Sequence, residues 1–281
     1  MNDKVKEMSF VREPAVNGMF YPDNPEKLRK DIENYLEHAI APDIKETIIG
    51  IVSPHAGYMY SAQVAAYGFR MIAQKQYDTV IIIAPSHKVY FDGVALWDRG
   101  GFKTPLGVID IDEEIAQEML NIGGVIQSNM ETHRQEHALE VQLPFLQLVL
   151  DNFSIIPLIM GAQTSSICKK LAQCIFDALQ GSKKKVLIVA STDLSHYYPY
   201  TEAKKLDNVI VEHLDAFNIS GMVEDVEKGK TEACGAGPVI STMILSEKLG
   251  ATRGKVLKYA NSGDVSGDKS GVVGYVSAVF Y

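Results

Sequence analysis

Short runs of β-branched apolar residues recur along the chain with helical patterning between them. This alternation limits the folds open to the chain more than any other feature. The runs fall at residues 47–52, 79–83, 153–160, 186–189 and 271–281. Each is short and almost continuously apolar, so each reads as a strand covered on both faces. Apolar residues at three- and four-residue spacing predict helices at 25–39, 62–74, 113–121, 139–150, 167–179, 203–217 and 239–249. Pro25 after Asp23-Asn24 marks a helix start, because proline in the first turn gives up only an amide that the helix leaves unbonded. Gly250 marks the stop of the last helix. Strand alternating with helix implies an α/β fold, a single domain over 1–281 whose mostly parallel central sheet is flanked by helices. The segment 93–112, broken by Gly100-Gly101 and Pro105-Leu106-Gly107, reads as a hairpin appended to that sheet. The turn-rich stretch 261–271 reads as one long loop, and loops of that length inside a compact domain are often functional.

Charge and cysteine content remove several functional classes. The 27 Lys+Arg against 35 Asp+Glu give a net charge of −8, which argues against binding nucleic acid through bulk charge. The first residues lack the apolar core of a signal peptide, and no window approaches the roughly 18 uninterrupted apolar residues of a membrane span. A cytoplasmic protein with no membrane partner is expected. Three cysteines, Cys168, Cys174 and Cys234, are an odd number without a secretory context, so no disulfide framework is expected. Asn218-Ile219-Ser220 is then a chance match to the glycosylation triplet.

Three predicted strands run into a histidine: Val52-Ser53-Pro54-His55, Ala84-Pro85-Ser86-His87 and Ser191-Thr192-Asp193-Leu194-Ser195-His196. In an open parallel sheet the carboxyl ends of the strands line one crevice, where ligands bind, so residues far apart in sequence can converge there. A single loop histidine is commonly a surface residue, but three at equivalent strand ends point to a site. Neutral imidazole is the commonest protein ligand for transition metals, which makes His55 and His87 candidate ligands. Cys234 lies in a small-residue turn before a predicted helix, whose amino terminus favours the thiolate, the form that binds metal. Cys168 and Cys174 fall on the apolar face of a predicted helix and read as buried. His133 and His137 stand at i and i+4, yet the zincin pattern needs Glu directly after the first histidine, and here it is Arg134. Glu136, His137 and Glu140 either bring a carboxylate and an imidazole to the mouth of the site or form a helix cap with surface ion pairs. Tyr58, Tyr60 and Lys88 flank the site histidines as candidate substrate contacts. No P-loop, serine nucleophile elbow or Cys-x-x-Cys pair is present.

Taken in order, the segments 14–22, Ser53-Pro54-His55-Ala56-Gly57-Tyr58, Ala84-Pro85-Ser86-His87, Glu136-His137-Ala138-Leu139-Glu140, Ser191-Thr192-Asp193-Leu194-Ser195-His196, Cys234-Gly235 and Gly274-Tyr275 resemble the Memo family, whose microbial members are called AmmeMemoRadiSam system protein B. The resemblance spans essentially the whole chain. It implies a fold similar to the class III extradiol ring-cleavage dioxygenases (LigB-like), which hold non-haem Fe(II) with two histidines and a glutamate. It further implies a mononuclear site of His55, His87 and Cys234, with Asp193 and His196 beside it and His196 at the place of the acid/base histidine. Asp193, three residues before His196, is expected to hold its ring, and Tyr58, Glu136 and His137 stay candidate substrate residues by their positions. Cys234 stands where a dioxygenase has a carboxylate, and a thiolate favours copper, zinc or sulfur-ligated iron. The expected cofactor is therefore Fe(II) or Cu, with Zn²⁺ as a third candidate, and the expected function a redox enzyme on an unidentified small-molecule or peptide substrate. A phosphopeptide-binding module without turnover and a zinc-dependent hydrolase are the alternatives. The family name also associates such proteins with an AMMECR1-like protein and a radical SAM protein as partners.

Overall fold

The computed structural model describes residues 10–281, so the first part of the stretch read as lacking a signal sequence lies outside the described residues. In chain order the elements are β1 (Val11–Arg12), α1 (Pro25–Glu37), β2 (Gly50–Ser53), α2 (Tyr58–Ile72), β3 (Thr79–Pro85), β4 (Val94–Leu96), β5 (Gly101–Thr104), β6 (Gly107–Asp110), α3 (Glu113–Ile122) and β7 (Ile126–Ser128). These are followed by α4 (Leu143–Val149), β8 (Ser154–Met160), α5 (Ser165–Ala178), β9 (Val186–Ser191), β10 (His196–Tyr198), α6 (Tyr200–Asp215), α7 (Ile219–Glu227), α8 (Ala236–Lys248), β11 (Gly254–Asn261), α9 (Ser262–Ser266) and β12 (Val272–Phe280). The first helix starts where the sequence places it: Asn24 caps α1 by accepting the Lys27 amide at 2.9 Å, with Pro25 in the first turn. No helix among the described residues is long and apolar enough to cross a membrane.

Four of the five apolar runs form the centre of the main sheet, where β2, β9, β3 and β8 lie side by side and parallel. Every residue of β2 and β3 is buried, as two-face coverage requires. α2 and α6 pack on β12 and α8 on β9, with α1 against α2 and α5 against α8.

The sheet as a whole is mixed, which corrects the expectation of a mostly parallel one. Its order is β10-β12-β2-β9-β3-β8-β4-β7, with β11 also paired to β12. β12 runs antiparallel to β2, β10 and β11, and β4 runs antiparallel to β8. The fifth apolar run, β12, is buried on both faces like the parallel strands at the centre of the sheet, and an apolar run reports only that burial. Direction is set by the connection. β11 returns into β12 through one short helix, which leaves no room for a crossover, so the pair is antiparallel.

Two further expectations are revised. β5 and β6 do form an antiparallel hairpin, but they join β1 in a separate three-stranded sheet, while β4 at the start of the same segment enters the main sheet. The stretch 261–271 is not one long loop. Asn261 ends β11 and caps α9, its side chain accepting the Gly263 amide at 3.0 Å while the Asp264 carboxylate accepts the Asn261 amide at 2.9 Å. This reciprocal cap folds half of the polar stretch into a helical turn.

A buried ion pair ties the N-terminal segment to the segment before α4. Arg12 donates to Glu140 Oε2 at 2.7 Å and to the carbonyls of His133 at 2.7 Å and Glu136 at 2.6 Å. Glu140, with none of its surface exposed, also accepts the amides of Ala15 and Val16 and the Tyr21 hydroxyl. The reading of Glu140 as a surface cap is thereby excluded. Removing one partner of such a pair leaves an uncompensated buried charge, which costs about 3–5 kcal/mol. Glu140→Gln is expected to lower the unfolding free energy by that amount in urea titration, and a loss under about 1 kcal/mol would mean that the pair is dispensable.

Candidate metal centre

Strand register assembles the site. Ser53 of β2 lies opposite Ser191 of β9, and Ile83 of β3 opposite Ala190 of β9, so three parallel strands finish at nearly one level. His55 follows β2 and His87 follows β3 by two residues each, and Asp193 follows β9 by two. Crossover helices hold parallel strands in this way, and their carboxyl ends open into a common crevice.

The imidazoles of His55 and His87 come together there as expected, and His137 joins them. One ring nitrogen of each lies within 4.8 Å of the others, and the ring centroids are 5.1 Å apart for His55–His87, 5.5 Å for His55–His137 and 4.7 Å for His87–His137. Metal–imidazole bonds measure about 2.0–2.1 Å, so modest side-chain shifts bring these nitrogens onto one ion. The sequence placed His137 at the substrate side. The i, i+4 spacing from His133 suggested a shared helix face, but this segment is not a regular helix. Residues 131–133 and 140–142 are separate 3₁₀ turns, and they send the two histidines apart. His133 is buried with its Nε2 3.1 Å from the Ala95 carbonyl, whereas His137 faces the centre.

Glu136 orders His87. One carboxylate oxygen accepts the His87 amide at 2.6 Å and the other lies 2.9 Å from His87 Nδ1. The carboxylate also takes the amides of His137 and Ala138. A carboxylate on Nδ1 fixes the proton there and leaves Nε2 as the metal-binding atom. Burial alone would raise the Glu136 pKa, but the His87 ring and the amides outweigh it and hold the value near 2. Glu136 is therefore a buried anion behind a ligand, neither a surface cap nor a residue at the open mouth.

Cys234 occupies the other side of His55, its Sγ 3.1 Å from His55 Nε2. It accepts the Asp193 amide at 3.2 Å. The expectation that the following helix lowers the thiol pKa is not met: burial and the Asp193 carboxylate push it up. The dipole of a helix amino terminus falls off within one turn and is worth about 1 kcal/mol or less at most sites, too little against desolvation. Cys168 and Cys174 are buried on α5, as their pattern implied.

Asp193 was expected to hold His196. Its Oδ1 instead accepts the His55 amide at 2.8 Å, and its Oδ2 stands 4.0 Å from His55 Nε2. Burial pushes the Asp193 pKa up, against the lowering effect of that amide and of the nearby His196. The His196 amide goes to Glu232 at 3.2 Å, and its ring makes no hydrogen bond among the described residues. His196, Glu232, Leu194, Ala233 and Cys234 line a cleft of about 260 Å³. Tyr58 is buried, with its hydroxyl given to the Val141 carbonyl at 2.8 Å. Tyr60 is half-buried, and Lys88 is exposed on the loop after His87. Ser191 and Gln142, which contact the back of the centre, escaped the sequence analysis, because a serine ending a strand and a glutamine in an apolar stretch carry no pattern of their own.

The family model for Memo-like proteins matches residues 12–279. The chain belongs to the Memo family. It is 40% identical over 278 residues to a MEMO1 family protein of Methanopyrus kandleri, covering 96% of this chain and 98% of that one. It is 38% identical to MEMO1 family proteins of Sulfolobus acidocaldarius and Methanobrevibacter smithii, covering 96% of this chain in both cases and 99% and 100% of theirs. Membership of the Memo family therefore extends from β1 through almost all of β12, and all the site residues named above lie within it.

Burial drives the pKa of His55 and of His133 down from 6.5 to about 3 and that of His137 down to about 4. Between those values and 6.5 the unfolded chain binds protons that the folded chain refuses, so stability is complete above 6.5 and is lost as the pH falls. The lowered Glu136 acts in the same direction further down, losing its contribution below 4.5, while the raised Asp193 opposes. Urea midpoints of metal-free protein are expected to fall between pH 7 and 4, with up to about 1.4 kcal/mol per pH unit from each histidine. His133→Gln should remove one proton from that slope. A stability flat over this range would contradict the buried neutral histidines.

Proposed function

We propose that this Memo-family protein is a cytoplasmic metal-dependent oxidoreductase in which one transition-metal ion is held by His55, His87 and Cys234, with His137 within reach as a further donor. The observation that carries this reading is the convergence of three imidazole nitrogens within 4.8 Å, with the Cys234 sulfur 3.1 Å from His55 Nε2. Imidazole and thiolate donors suit Fe(II), Cu and Zn²⁺ and do not suit Mg²⁺ or Ca²⁺. Such an ion, when bound, supplies Lewis acidity and, for iron or copper, electron transfer. The lowered pKa values keep His55 and His137 neutral at pH 7, so their lone pairs are available to an ion rather than occupied by protons.

The remaining residues take roles that their surroundings support. His196, half-exposed on the cleft with an uncommitted ring, exchanges a proton with a molecule seated beside Cys234. Asp193 anchors the His55 turn by accepting the His55 amide. Glu232 holds the His196 main chain. The likeness to class III extradiol dioxygenases, including a LigB-like arrangement of the sheet, belongs to this proposal, with Cys234 as the departure from their carboxylate. So do AMMECR1-like and radical SAM partners, which rest on the family resemblance.

The electrostatics favour this reading over a phosphopeptide module. The buried imidazoles of His55 and His137 are neutral, the carboxylates of Glu136, Asp193 and Glu232 lie nearby, and no Lys or Arg among the described residues lines the cleft. Arg12, the buried cation behind Glu136, is engaged by Glu140.

Protein purified without oxygen is expected to take up one equivalent of Fe(II), Cu or Zn²⁺ by titration. His55→Ala and His87→Ala should abolish uptake, Cys234→Ser and His137→Ala should each weaken it, and His196→Gln should keep the ion while losing metal-dependent turnover. Full stoichiometric uptake by His87→Ala would refute the site. Iron or copper in the isolated protein supports the oxidoreductase, and zinc alone supports a hydrolase on the same donors.

A further inference from the structure

The Ser191 hydroxyl touches both the back of His55 and the segment carrying Glu136 and His137. It is fully buried at the end of β9. A serine hydroxyl has one proton to give and two lone pairs to receive with. Ser191 Oγ lies 2.6 Å from the Ala138 carbonyl oxygen, a separation that two oxygens tolerate only with a proton between them, so the single proton is committed there. The Gln142 side chain is 2.8 Å from the same Oγ and 3.0 Å from the Pro54 carbonyl. Only its NH₂ group can satisfy both, so it donates to Ser191 and fills one lone pair.

What remains to face His55 is the second lone pair. His55 Nδ1 stands 2.9 Å from it, and for that contact to be a hydrogen bond the ring must carry its proton on Nδ1. Nε2 is then bare and directed at Cys234, whose sulfur is 3.1 Å away. We propose that Ser191, held by Gln142 and the Ala138 carbonyl, is a positioning residue that fixes the tautomer and the ring orientation of His55. It does for His55, without adding a charge, what Glu136 does for His87 with one. Its value to function rests on the metal reading above, but the tautomer is a property of the metal-free protein and is measured without any ion.

Long-range ¹H–¹⁵N NMR of metal-free, ¹⁵N-histidine-labelled protein reads the tautomer, with His55 assigned by its loss in His55→Gln. His55 is expected as the Nδ1–H form in the wild type and as a mixture in Ser191→Ala. The affinity of Ser191→Ala for Zn²⁺, used as the probe, should fall about 10–100-fold with stoichiometry unchanged. Ser191→Thr, which keeps the hydroxyl, should restore the Nδ1–H form. If Ser191→Ala does not fold, Gln142→Leu, which frees one lone pair of Ser191 and loosens its hold, should show the same trend. An Nε2–H His55 in the wild type, or an unchanged tautomer in both variants, would overturn the assignment. A wild type with Nδ1–H at His55 that binds no Zn²⁺ would support the assignment and overturn the metal reading instead.

Discussion

Two carboxylates four residues apart, Glu136 and Glu140, are buried, and much of the structure is arranged to satisfy them. A buried charge without partners is costly enough to be excluded from a stable fold, so the segment from His133 to Gln142 can enter the core only where donors meet it. Arg12 and the amides of Ala15 and Val16 come from the N-terminal segment to Glu140. The amide and ring of His87 come from the end of β3 to Glu136. The segment cannot be a continuous helix while making these contacts, and it breaks into two 3₁₀ turns. That break turns His137 toward His55 and leaves His133 against Ala95.

The same constraint gives the centre its electrostatic character. Desolvation keeps His55 and His137 neutral and the Cys234 thiol protonated, while hydrogen bonds keep Glu136 ionised. The donor set is thus assembled with its lone pairs exposed and its compensating charge one bond behind. This is how a metal site is commonly supported by outer residues that orient the ligands. His196 and Glu232, on the cleft beside Cys234, lie outside this rigid network. The proton exchange proposed for His196 needs that freedom, and groups that hold a fixed geometry do not.

The sequence reading and the structure part company at identifiable residues. β2, β3, β8 and β9 are legible because parallel strands buried on both faces leave continuous apolar runs, and the histidines are legible because they follow such runs directly. β11 and α7 went unseen. β11 is buried only at its ends, Gly254 and Asn261, with exposed Lys255 and Lys258 and half-buried residues between them, and α7 buries only Met222, so neither carries a strong apolar period. The thiol state of Cys234 was misjudged because a helix amino terminus can be seen in sequence, whereas the burial of the sulfur near the Asp193 carboxylate cannot.

By itself the sequence determined that the chain is α/β, that His55 and His87 share the carboxyl edge of a sheet, and that Cys168 and Cys174 are structural, because each of these follows from local apolar patterning and chain order. Only the tertiary structure decided the antiparallel course of β12, the arrival of His137 beside His55 and His87, and the commitment of Asp193 to His55 rather than to His196. The last two depend on contacts between segments far apart in sequence, such as the 138 positions between His55 and Asp193, and the first depends on β11, a strand that leaves no apolar period to read. Local propensity carries no information about partners at that distance, because they are chosen by the packing of the sheet and by the need of buried polar groups for donors.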